Sequence, residues 1–298
     1  MSTGGLAWRH SVAWAKRTLR VQVETGDIDD WYELALAIGF GLDVPGAPLA
    51  RAYDLLARSM AGGADGAIVR PAGEGRARSA TRGAGLAVVE NLLEVVKVVA
   101  LAGMLEGPLC GQLAAWLRSL ARPDGRYADE TSPLASAPHS DLEDTWSAVD
   151  TLTALGEPTV REETVRWVLA LQSADGSFRA PPPQQVTAPY GSVFADTLAA
   201  VRILDRARVV PRDRDACVTW LLAQRDEVWA GGVVAWWQLA SALFALGALT
   251  RIEPELAAHL GGLRLDEPER SRVGFATYAA FQCIAMLGEA RRAGAEQR

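Results

Sequence analysis

The sequence predicts an all-α protein, an α/α toroid (an α6/α6 barrel) of about six helical hairpins. Three observations lead there: an internal repeat, a paired succession of amphipathic and apolar helical segments, and no period-2 alternation long enough for a sheet.

The repeat is read in AAWLRSLARPDGRY (114–127), VRWVLALQSADGSF (165–178) and VTWLLAQRDEVWAGG (218–232). Each copy begins as a short amphipathic helix, and Trp116, Trp167 and Trp220 recur at intervals of 51 and 53 residues. In the first two copies an Asp-Gly turn and an aromatic residue follow, so Trp167 and Phe178 are expected in the core. Self-similarity at this period marks stacked supersecondary units.

Taken in order, WRHSVAWAKRTLR (8–20) and DDWYELALAIGFG (29–41) form the first outer–inner pair. PLARAYDLLARSM (48–60) pairs with LAVVENLLEVVKVVALAGML (86–105). The three repeat copies supply the next outer helices, followed by inner segments at 144–156, 195–207 and 235–249. PELAAHLGGL (254–263) with FATYAAFQCIAMLG (275–288) makes the last pair. The inner segments have thin polar faces, as helices buried on most sides do. Thr159-x-x-Glu162 is expected to open an outer helix as a capping box. Six hairpins closing on themselves make residues 1–298 a single domain that needs no capping repeats.

Composition narrows the function classes. A chain 49% hydrophobic and 22% charged can bury a large core. Its net charge of −6 argues against nucleic acid or an anionic membrane surface as partner. Cys110, Cys217 and Cys283 are far apart, odd in number and in no CxxC pair, which argues against a disulfide framework or a thiol zinc site. The stretch MSTGGLAWRHSVAWAKRTLR lacks the apolar core of a signal peptide, and no run of about 18 apolar residues spans a membrane. A cytoplasmic location is the expectation.

The toroid has a chemical consequence. Consecutive hairpins run the same way, so inner-helix N-termini gather at one mouth. That rim collects Asp27, Asp29 and Asp30; Asp141, Glu143 and Asp144; and Asp196. The loop IVRPAGEGRARSATRGAG (68–85) should lie there too. Its Arg76, Arg78 and Arg82, with Arg70, are candidates to grip a diphosphate through charge-assisted bonds. A solvated Gly/Arg loop is the alternative.

DLEDTWSAVDTLTALG (141–156), followed by VRWVLALQSADGSF and a second DT-led helix, resembles the β domain of class II terpene cyclases. These belong to the prenyltransferase and squalene-cyclase superfamily of α/α toroids, where a DxDD(T) motif heads an inner helix and Q-x-x-x-G-x-W repeats follow the outer ones. Here the repeat is Gln172, Gly176 and Phe178, with Phe for Trp, and the other copy ends at Tyr127. The resemblance covers about the central and C-terminal two-thirds of the chain. It implies cyclisation of an isoprenoid by protonation, with Glu143 in the donor position and Asp141 and Asp144 on its flanks. A carboxylic acid among carboxylates can keep and deliver a proton. Glu is one methylene longer than the family's Asp, which shifts the proton by about an ångström.

Local chemistry offers a second account. Ser140-x-x-Glu143 is a capping box, and acids in a first helical turn suit the helix dipole. Asp27-Ile-Asp29-Asp30 matches DxDD more literally, but Trp31 follows it and no repeat does. It reads as extra acid or metal-facing carboxylates at the rim. Trp146, Tyr190, Phe194, Trp236, Trp237 and Tyr278 are the candidate substrate-binding wall. A carbocation gains about 1–2 kcal/mol per good aromatic face; core filling is the alternative for any one ring.

AWWQLASALFALG resembles the SWWxLASL helix of the β subunit of protein prenyltransferases. That family's zinc-binding Asp and Cys fall here on Gly231 and Val233, and its zinc-binding His on Ala276. Its basic diphosphate loop is shortened to DEVWAGG, and His10, His139 and His259 have no ligand spacing. This match implies no zinc; Mg²⁺ would enter only with a diphosphate substrate. Class II cyclases place the site between two helical domains, and this chain supplies one. The cavity closes within the toroid, or a second copy (a homo-oligomer) or a partner subunit covers it, or there is no reaction. A non-catalytic toroidal binding protein, or an accessory subunit docked through the rim, is the competing reading.

Overall fold

Every described element longer than a turn is helical. The computed structural model describes residues 4–25, 31–40, 42, 44, 108–127, 141–157, 160–180, 192–230, 232–262 and 275–296. The expected helices at 48–60 and 86–105 and the arginine loop 68–85 lie outside these residues. The helices are α1 (Gly4–Thr25), α2 (Trp31–Gly39), α3 (Pro108–Ser119), α4 (Asp141–Ala154), α5 (Glu162–Ala170) and α6 (Ser192–Arg206). They continue with α7 (Arg214–Ala223), α8 (Arg225–Ala230), α9 (Gly232–Ala245), α10 (Glu253–Gly262) and α11 (Phe275–Glu296). Among the described residues there is no β-strand, only two isolated antiparallel bridges, Ala121 with Tyr127 and Gln172 with Phe178. No described helix is long and apolar enough to cross a membrane.

Backbone contacts divide the chain into two compact units, residues 46–172 with 178–209, and residues 1–45 with 173–177 and 210–298. In the first unit α3 buries Cys110, Leu113, Ala114 and Leu117, an i, i+3, i+4, i+7 stripe, and exposes Gln112, Ala115 and Arg118. The helix is therefore amphipathic, as its periodicity predicts. In α4, by contrast, all residues from Ser147 to Leu152 are buried, and α6 buries six in a row from Asp196 to Val201. These two apolar helices pack along each other, with α3 against α4 and α5 against α6. One polar group buried inside α4 finds its acceptor in the helix itself: the Thr151 hydroxyl donates to the Ser147 carbonyl at 2.7 Å.

In the second unit α9 packs along α11, α2 along α11, and α1 against both α2 and α10. The helix pair nearest the start of the chain thus lies beside the pair nearest its end. Trp236 is fully buried in α9, with Leu239, Ala240, Ala242 and Leu243 equally enclosed.

Helices α4, α6 and α9 end alike. The amide of Glu157 donates to Leu152 O, that of Val209 to Leu204 O and that of Ala248 to Leu243 O, each closing the six-residue ring of a Schellman cap. Such a cap needs a left-handed residue. Gly156 (φ 87°) and Gly247 (φ 64°) supply it in α4 and α9, but α6 uses Arg208 at φ 56°.

Two local expectations need correction. The cap of α5 is Arg161, with no side chain bonded to the helix end, so Glu162 is its first residue and the Thr159–Glu162 capping box is out of register. Thr159 itself lies outside the described residues. Trp167 is half-buried whereas Phe178 is fully buried, so the aromatic that closes the turn is the core residue and the helical Trp sits at its margin. The third copy, as its sequence predicts, lacks the Asp-Gly turn. Its chain runs from α7 straight into α8, because Trp229 stands where the first two copies have a left-handed Gly.

Candidate functional site

The Asp-Gly turns explain much of the DLED segment. Gly125 and Gly176 adopt φ of 99° and 90°. A Cβ on Gly125 would drive into the backbone of Glu163 and Thr164 at the head of α5, and one on Gly176 into Ala216 and Cys217 at the head of α7. The turns have the same internal bonds, Arg122 N to Arg126 O and Ser173 N to Ser177 O, both 2.8 Å. Only glycine fits either place, for its conformation and for the close approach.

The aromatic that ends each turn is tied to the apolar helix that follows, α4 or α6, by a threonine. The Tyr127 amide donates to Thr145 Oγ1 at 3.1 Å, and the Phe178 amide to Thr197 Oγ1 at 3.0 Å. Both threonines are fully buried, so each bond satisfies a backbone donor that water cannot reach. Beside Thr197, the buried Asp196 accepts from Ala180 N at 2.8 Å. Aligning the three shared helix ends places Asp144-Thr145, Asp196-Thr197 and Ala235-Trp236 at equivalent positions. The copy that has lost the turn has also lost the Asp-Thr pair. The threonines, and Asp196 through Ala180 N, therefore belong to the repeat scaffold.

Two acids remain. Equivalent positions to Asp141 and Glu143 carry Val193 and Ala195 in α6. Asp141 opens α4, is 7% exposed, and takes an ion pair from Arg126 Nη1 at 2.5 Å. Arg126 also holds Asp124, with Nε 2.8 Å and Nη2 2.7 Å from Oδ2. That hydrogen bond holds the exposed Asp124 carboxyl below its ordinary range. The second copy has Ser177 in place of Arg126, so the arginine and Asp141 are additions of the same copy. Glu143 is half-buried on the same first turn.

Among the aromatic candidates, Trp146 lies one turn beyond Asp141–Glu143 with the Arg202 guanidinium 4.9 Å over its ring. One helical turn further along both helices, Arg206 Nε meets the buried Asp150 Oδ1 at 2.6 Å. The two rungs clamp α4 to α6. Phe194 is buried in the same unit. In the other unit Trp237 meets Tyr278 edge-to-face at 6.3 Å, and Trp236 stacks on His259 at 5.6 Å. Burial lowers the His259 pKa and raises that of the three thiols, to about 12 for Cys217 and Cys283. Those thiols are packing groups at neutral pH.

Asp27, Asp29, Asp30, Arg76, Arg78, Arg82, Tyr190 and Ser140 lie outside the described residues. Among the described residues no three His, Cys, Asp or Glu side chains gather in a metal-holding group. Sequence reading missed Arg126 and Arg202. Arg126 carried a signal: it replaces the Ser of the second copy in the same turn. No protein-family model matches this sequence, and no curated protein matches it significantly.

Proposed function

We propose that this protein is an α/α toroid that binds an isoprenoid chain and cyclises it by protonation, with Glu143 as the acid. The observation that carries this reading is the difference between copies: Asp141 and Glu143 are acids that the repeat scaffold does not need. Asp141 and Asp144 flank it, and Asp141 anchors the first turn of α4 through Arg126. Ring closure is supported by the packing of α1 and α2 beside α10 and α11. An Mg²⁺ ion would accompany a diphosphate substrate.

One set of contacts favours a non-catalytic binding or partner protein, in a cytoplasmic setting or otherwise. Cations already touch two members of the proposed machinery, Arg126 on Asp141 and Arg202 on the face of Trp146. A proton-donating cluster and a carbocation-stabilising ring both work better without them.

Product analysis by mass spectrometry separates the two. Purified protein is incubated with farnesyl and geranylgeranyl diphosphate, squalene and a prenylated aromatic, with and without Mg²⁺, and binding is followed by tryptophan fluorescence. A cyclised isomer of unchanged mass, lost in a folded Glu143→Gln variant, is the expected result. Saturable binding with no conversion would leave the binding protein. Neither binding nor conversion would remove the isoprenoid reading.

A further inference from the structure

We draw no further inference here: the strongest candidate, the Trp146–Arg202 stack on the face where α4 meets α6, is filled by the protein's own guanidinium, and nothing in the structure shows a ligand that would lie on it.

Discussion

The first two repeat copies and the third begin with the same helix and part company after it. Copies one and two place glycine at φ near 90° and fold into a bridge closed by Tyr127 or Phe178. Copy three has Trp229 there and continues as helix α8. The change propagates to the apolar helix that follows, α9, where Ala235-Trp236 replaces Asp-Thr. A threonine that accepts a turn's amide has no work once the turn is gone, and the apolar Trp236 fills its place in the core. The comparison teaches which acids recur with the turn: Asp144 and Asp196 do, while Asp141 and Glu143 do not.

The largest effect should come from the closing aromatic. Phe178→Ala is expected to cost about 3–5 kcal/mol in urea unfolding, and Trp167→Ala clearly less, since only Phe178 is fully buried. Equal costs would break the assignment of the core to the turn. Next come the glycines. Gly125→Ala and Gly176→Ala should each lose about 2–4 kcal/mol, combining a left-handed Cβ with a clash against backbone. Gly232→Ala, at φ 74° with open space around it, should lose only about 1–2 kcal/mol. A loss at Gly232 as large as at Gly176 would mean that close approach is not what sets these turns apart.

Thr145→Val and Thr197→Val are expected to cost about 1–3 kcal/mol each, by stranding the buried amides of Tyr127 and Phe178. Hydrogen exchange at those two amides reads the lost bond directly. If Thr145→Val alone were harmful, the two copies would not be equivalent and DLED would need a separate explanation. The smallest effect is a gain: Arg208→Gly should raise the unfolding free energy in urea by up to about 1 kcal/mol, because it gives α6 the left-handed glycine that α4 and α9 already have.

Helices and repeats were legible in the amino-acid order because their causes are local. The i, i+3, i+4 stripe of α3 and the near-continuous apolar faces of α4, α6 and α9 follow from 3.6 residues per turn, and an Asp-Gly pair specifies a left-handed turn by itself. Even the divergence of the third copy was written at Trp229. The partners of the candidate site were not legible. Arg126 reaches Asp141 across fifteen residues of chain, Arg202 reaches Trp146 across more than fifty, and Thr145 could be told from an ordinary helix threonine only by the Tyr127 amide above it. Such pairings depend on how helices approach one another, and that is decided by packing of the whole core, a sum over many side chains that no spacing along the chain records.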